Sequence, residues 1–256
     1  MKILFLGTGT SVGIPMIGCT CPVCKSSDPR NKRRRASLYF EAAGKHIVVD
    51  TSPDFRAQAL DFLIPRVDAV LFTHSHADHI FGLDDIRRFN TIQGCSIPAY
   101  ASPDTMADLK RVFGYANVEE TPGVYRPQID FREITGPFKI GDIEVETLPV
   151  PHGAKPAMGF VFIAEGHKVA YFPDCQEMSR QTIEKLKGAD IMILDALRHR
   201  PHKTHMTLEE SLKALSLISA KQSFIIHMCH DLDHEKTQNN LPASVYVSYD
   251  GFEIHL

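Results

Sequence analysis

The chain has 256 residues, 43% of them hydrophobic and 23% charged, which suits folded domains with a sizeable core and leaves no long stretch to disorder. Lys and Arg number 28 against 31 Asp and Glu, a formal net charge of −3, so no overall basic field would gather long nucleic acids. The short apolar run at 1–6 meets glycines at once, unlike a leader peptide, and no run approaches a membrane span. The expected setting is a reducing cytoplasm, where clustered cysteines bind metal more often than they pair.

In chain order, short runs rich in Val, Ile and Phe between Gly, Pro and Asp predict strands, and apolar positions three and four apart predict helices. Residues 3–6 form the first strand and lead into Gly7-Thr8-Gly9-Thr10-Ser11-Val12-Gly13. That run lacks the Lys-Ser/Thr ending of a phosphate loop and reads as a tight turn without nucleotide binding of its own. The thiols Cys19, Cys21 and Cys24 follow, then the basic run Lys32-Arg33-Arg34-Arg35, read as a solvated turn before a strand. Strands are expected at 37–41 and 45–50, a helix at 54–63, and strands at 69–72 and 97–100. Ser102-Pro103-Asp104 opens a helix over 102–113, with serine as cap and proline in the first turn. Strands at 143–149, 159–164 and 168–172 precede a helix at 179–187. A strand at 191–194 precedes a helix at 207–219, whose Thr207-Leu208-Glu209-Glu210 start is a capping-box pattern. Strands at 223–226 and 251–255 complete the order. Hairpins first and strand–helix alternation later predict an α/β (α+β) sandwich with mixed sheets, organised as one domain over 1–256.

His74-Ser75-His76-Ala77-Asp78-His79 directly follows the strand at 69–72. Imidazoles and a carboxylate this dense are costly to crowd together without a cation, and their nitrogens and oxygens are donors for zinc, manganese and iron. His152, Asp174 and His227 each follow another apolar strand. Singly, each also reads as a turn residue or a satisfied buried polar group; jointly they complete a metal site at strand ends. For the cysteine cluster, a structural zinc needs a fourth donor, from Cys95, Cys175, Cys229 or a histidine. His205, two residues before the cap Thr207, has the titration range to hand a proton to a leaving oxygen, with His202 as its competitor.

With the H-x-H-x-D-H run and these later residues, the whole chain resembles the metallo-β-lactamase superfamily. The resemblance implies a four-layer αββα sandwich with metals at one edge of the sheets. It implies that His74, His76 and His152 hold one divalent metal, that Asp78, His79 and His227 hold a second, and that Asp174 bridges them, the ions being zinc or manganese. Hydrolysis would then proceed by a metal-bridged hydroxide, with Asp78 orienting it and both cations stabilising the anionic oxygens.

The C-x-C-x-x-C run narrows the resemblance to the PhnP-type cyclic phosphodiesterases of the phosphonate pathway. That branch implies a structural zinc on Cys19, Cys21, Cys24 and His230, and His205 as the acid for the leaving group. The implied substrate is a small phosphodiester, such as a cyclic nucleotide or ribosyl cyclic phosphate. The implied partner is thus a small molecule rather than long nucleic acid or a membrane, and a homodimer is compatible. The segments 50–56 and 84–87 also resemble this branch and read as salt-bridged supports, with Arg56 or Arg87 touching a substrate anion as the sharper alternative. Two rival readings stand beside this one: a thioester, lactone or amide hydrolase of the same superfamily, and a non-catalytic metal-binding scaffold like the pyrroloquinoline-quinone biosynthesis relatives. A transfer-RNA-end nuclease is disfavoured by the negative charge and the lack of a basic insertion. The related diiron oxidoreductases carry glutamate where this chain has His76.

Overall fold

Strands that are apolar on both faces need cover on both, and this requirement organises the computed structural model, which describes residues 1–117 and 125–256. In chain order the strands are β1 (Lys2–Gly7), β2 (Ser37–Ala42), β3 (Lys45–Val49), β4 (Ala69–Leu71), β5 (Ile97–Ala101), β6 (Ile129–Glu133), β7 (Phe138–Ile140), β8 (Ile143–Val150), β9 (Ala157–Ala164), β10 (His167–Phe172), β11 (Ile191–Asp195), β12 (Gln222–Ile226), β13 (Val245–Val247) and β14 (Glu253–His255). They form two seven-stranded sheets, ordered β14-β1-β2-β3-β4-β5-β6 and β13-β12-β11-β10-β9-β8-β7. Each sheet is antiparallel through its hairpins and parallel where helices intervene.

The sheets pack face to face. Phe5, Leu38, Phe40 and Val49 of the first meet Phe160, Phe162, Tyr171 and Phe224 of the second in one buried cluster. Phe40 stacks on Phe162 with centroids 4.5 Å apart. A second cluster covers the outer face of the second sheet with the helices Arg180–Leu186 and Leu208–Ile218. A third covers the first sheet with the helices Phe55–Asp61, Ile86–Gln93 and Pro103–Val112. The architecture is the expected αββα sandwich. Truncating an inner-layer ring such as Phe162 to alanine would cost about 3–5 kcal/mol through lost burial and a residual cavity.

Every strand and helix expected from the sequence is present, with ends shifted by a residue or two. The expected caps form as well: Ser102 accepts from Thr105 N, and Thr207 and Glu210 close a capping box. The pattern reading missed β6, β7, β13 and the helix Ile86–Gln93. β7 and β13 have three residues each, and β6 is largely uncovered. The helix is mostly polar and buries only Ile86, Phe89 and Asn90.

β8, β10, β11 and β12 share one direction in the second sheet, as β3 and β4 do in the first. The residues that follow their C-terminal ends therefore gather along one edge. Three backbone bonds seam the sheets there: Met158 N to Thr73 O (2.8 Å), Met228 N to Thr8 O (3.0 Å) and Thr10 N to Met228 O (3.2 Å). Gly9 lies in this seam, and a Cβ there would meet Arg33 O at 2.8 Å. The glycine run thus lets backbones approach closely, in keeping with its reading as a tight turn.

Candidate metal centre

β4 ends at Leu71, and the chain turns through Thr73 into His74-Ser75-His76 before the short helix Ala77–Ile80. Asp50, just past β3, orients this turn. Its fully buried carboxylate accepts Thr73 N and Thr73 Oγ1, both at 2.8 Å, and His79 Nδ1 at 2.8 Å. His79 Nε2 is thereby aimed at the centre. Asp50 and His227 are both buried non-glycine residues at positive φ, 62° and 60°. Such backbone costs about 1–3 kcal/mol each and persists where surrounding packing enforces it.

The structure brings together all the candidate ligands from the strand ends. His74 Nε2 and His76 Nδ1 lie 2.9 Å apart, with His152 Nε2 3.3 Å from the latter. His79 Nε2 is 3.2 Å from Asp78 Oδ2, and His227 Nε2 is 3.7 Å from the same oxygen. Asp174 lies between the two groups: Oδ2 is 3.2 Å from His79 Nε2, and Oδ1 is 3.4 Å from His227 and 3.6 Å from His152. His79 Nε2, His227 Nε2 and Asp174 Oδ2 are buried without a hydrogen-bond partner among the described residues. Orphaned polar atoms cost about 1–3 kcal/mol each, and converging nitrogen and carboxylate donors are a fit for divalent cations.

Protonation follows the same logic. Burial pushes His74 well below its ordinary value and His152 down to about 4, leaving neutral imidazoles of the ligand type. Burial opposes ionisation of Asp78 and Asp174, yet neighbouring imidazoles, His79 and His227 foremost, outweigh it and hold both carboxyls well below the usual range. His79 goes the other way. Burial disfavours its cation, but Asp174, Asp78 and Asp50 surround it and raise it well above the ordinary value. The carboxylates that hold a proton there would equally attract a metal cation.

His205 borders this group. Its Nδ1 donates to Asp195 Oδ2 at 2.7 Å, its Nε2 is 3.8 Å from Asp174 Oδ1, and its ring stacks on His227 at 4.6 Å. Asp195, at the end of β11, is fully buried and also accepts Cys175 N. Burial pulls the His205 imidazole down, but the Asp195 charge and hydrogen bond prevail and raise it to about 9. His202 is exposed and faces Thr204 through its Nδ1. Arg87 pairs with Asp84 at 3.2 Å and lies over the Tyr125 ring, and Arg56 is exposed. A cavity of about 370 Å³ opens beside His74 and His76, lined by Ser75, Ser102, Thr105 and Lys155. Another, also about 370 Å³, opens beside His202 and His205, lined by Met178, Ile183, Met206 and Lys213.

The cysteine loop closes on His230, whose Nδ1 lies 3.3, 3.6 and 3.7 Å from the sulfurs of Cys19, Cys21 and Cys24. The rivals lie elsewhere: Cys175 Sγ donates to Glu177 O, Cys229 Sγ accepts Asp231 N, and Cys95 is exposed. The amide of Cys24 lowers the Cys21 thiol, while burial pushes Cys24 up to about 11. The basic run is corrected here. Arg33 is buried rather than solvated, donating to Cys229 O and Asn31 Oδ1 at 3.2 Å each. Arg34 pairs with Asp61, and Arg35 with Asp54 at 2.9 Å. The run thus fastens the cysteine loop to the core, and Asp54 serves Arg35.

Thr73 and Asp195 were missed as parts of the site, and Asp50 was read only within the supporting segment 50–56, without its bond to His79. Asp50 directly follows β3 and Asp195 ends β11, the strand-end placement that drew attention to Asp174. That shared position was the available signal.

The profile of the beta-lactamase superfamily domain matches residues 45–228, from β3 to just past β12. The chain belongs to the metallo-β-lactamase superfamily. A crystal structure of a diphosphatase from the PhnP family is 38% identical, superposes with a TM-score of 0.91, and covers 99% of this superfamily member and 96% of the diphosphatase. An octanoyltransferase of Porphyromonas gingivalis is 34% identical over 99% of the chain, yet the chain spans only about half, 51%, of that protein's length. The Zn2+-bound PqqB of Methylobacterium extorquens has a TM-score of 0.83 over the full length of both chains at 20% identity, a likeness of fold.

Proposed function

We propose that this metallo-β-lactamase-fold hydrolase is a two-metal phosphodiesterase of small phosphodiesters, cyclic nucleotide or ribosyl cyclic phosphates being the leading candidates. The observation that carries the reading is the Asp195–His205 pair, 2.7 Å long, set against a full complement of metal-type donors. A buried carboxylate holding one imidazole nitrogen leaves the other, Nε2, protonated near neutral pH and directed into the centre. That is the requirement for expelling an alkoxide from phosphorus.

His74, His76 and His152 would hold one divalent ion, Asp78, His79 and His227 the other, with Asp174 shared between them. When bound, zinc or manganese ions supply Lewis acidity toward phosphoryl oxygens and activate water. The chain's own work is positional and electrostatic. Asp50 orients His79, Asp78 would orient the nucleophile, and His205 would deliver its proton to the leaving oxygen. The cavities flanking the centre give room for a substituent on each side of phosphorus. The 38% likeness to a PhnP-family diphosphatase supports phosphorus as the reacting atom. Cys19, Cys21, Cys24 and His230 would hold a structural zinc.

The test is a panel of bis(p-nitrophenyl) phosphate, 2′,3′-cyclic nucleotides, thioesters and lactones assayed on metal-analysed protein. Three metals per chain and turnover confined to phosphodiesters are expected. Turnover of thioesters or lactones alone would overturn the substrate class, and protein active with one metal or none would overturn the two-metal site.

A further inference from the structure

The three-histidine group is assembled across the sandwich. His74 and His76 leave the first sheet after β4, whereas His152 leaves the second after β8. Two of these rings are steadied from behind: His74 Nδ1 lies 3.0 Å from Thr73 Oγ1, and His152 Nδ1 donates to Thr204 O at 2.9 Å. The exposed His76 has no such support. Among the described residues its side chain contacts only its fellow histidines by hydrogen bonding. Its position therefore depends on the backbone that carries it.

That backbone is tied down one residue earlier. Ser75 Oγ donates to Asp108 Oδ2 at 2.7 Å, and the same oxygen accepts Lys155 Nζ at 2.9 Å. Asp108 lies on the helix Pro103–Val112 outside the first sheet, and Lys155 lies three residues past His152 in the loop from the second. One carboxylate oxygen thus joins both loops. The other oxygen takes Arg111 Nη2 at 2.9 Å from within the same helix, which ties nothing further. Lys155 and Arg111 are mostly exposed, and such surface ion pairs contribute little by themselves. The Ser75 bond is the shorter one, and the side chain of Asp108 is only 19% exposed.

We propose that Asp108 is a positioning residue that clasps the His74–His76 and His152 loops, holding the three imidazoles in register for one metal. This rests on the two-metal reading above. Direct hydrogen-bond partners of metal ligands are typically worth about 10–100-fold in metal affinity. Asp108 acts one residue removed from the ring, so about tenfold is expected.

Metal-loaded protein is challenged with rising chelator, and the metal retained per chain is counted by plasma emission. Asp108→Ala should lose one metal at about tenfold lower chelator, while its other two metals leave as in the wild type. Ser75→Ala, which breaks the shorter of the two links, should reproduce most of this loss, and the double variant should add nothing to Asp108→Ala, because that change already breaks both links. Arg111→Ala should match the wild type. The kcat of Asp108→Ala should recover as the added metal concentration rises. The clasp is overturned by a wild-type retention profile in Asp108→Ala and Ser75→Ala, by an equal loss in Arg111→Ala, or by additive losses in the double variant. Wild-type protein that retains no active-site metal would instead overturn the two-metal reading itself.

Discussion

Two clusters of metal-type donors lie on the same edge of the sandwich, and they are built in opposite ways. In the histidine–aspartate cluster, buried atoms remain without partners and cavities open on two sides. In the cysteine cluster, three sulfurs close around one imidazole nitrogen within 3.3 to 3.7 Å. Four donors from Cys and His form the closed set of a structural zinc, whereas catalysis needs room for a further ligand. The two are joined through a single turn, since His227 and His230 stand three residues apart. The contrast suggests a division of labour: one cluster for chemistry, the other to set the turn from which part of that chemistry hangs.

Substitutions should separate the two, and the largest effect belongs to the first cluster. Asp78→Ala removes a donor that lies 3.2 Å from His79 Nε2 and 3.7 Å from His227 Nε2. Phosphodiester turnover should fall by on the order of 10³ or more, because groups acting as one unit fail together. Residual activity within tenfold of wild type would break the assignment. Next comes His205→Ala. Loss of a general acid costs about 10²–10⁴-fold where the leaving group needs a proton, and far less where it does not. A cyclic nucleotide should therefore suffer much more than bis(p-nitrophenyl) phosphate. Equal losses on both would remove His205 from that role.

The fold was legible because its strands are apolar runs bounded by Gly, Pro and Asp, and its longer helices carry explicit caps at Ser102 and Thr207. β7, β13 and the polar helix Ile86–Gln93 were not, since their short or half-covered segments carry little periodicity. Within the site, donor type and density marked the residues from His74 to His79 from the start. Arg33 was misread because burial of an arginine depends on acceptors brought by distant chain, here Cys229 O. Asp195 was overlooked because its partner His205 stands ten residues away across a loop, and no spacing rule links them. Asp108 was invisible for the same reason: Ser75 and Lys155 meet it only after the sheets have packed.

A subtler change tests how the acid is tuned. Asp195 is the chief cause of the rise of His205 to about 9. With the cation as the active form, activity should persist through neutral pH and fall as pH rises toward 9. Asp195→Asn keeps the size but removes the charge, so burial, which favours the neutral ring, gains ground. The alkaline limb of the pH–rate profile should then move downward by about 1–3 units, the usual effect of losing an adjacent opposite charge. An unmoved limb would mean that another group sets it.

The smallest catalytic effect should come from the cysteine cluster, and it is the most informative about the comparison. Cys21→Ser removes a sulfur donor that lies 3.6 Å from Nδ1 of His230, in the turn after His227. Metal binding of this kind contributes directly to folding. Zinc content should fall by one per chain, and Tm should drop by several degrees, about 2–4 °C for each kcal/mol in a chain of this size. Because Thr8, Thr10 and the Arg33 guanidinium also hold the His227 turn by hydrogen bonds to its backbone, kcat of fully loaded protein should remain within about threefold of wild type at temperatures below the transition. If kcat instead collapses while the fold persists, the seam alone cannot hold the turn. The cysteine cluster would then be part of the catalytic apparatus, and the division of labour would fail.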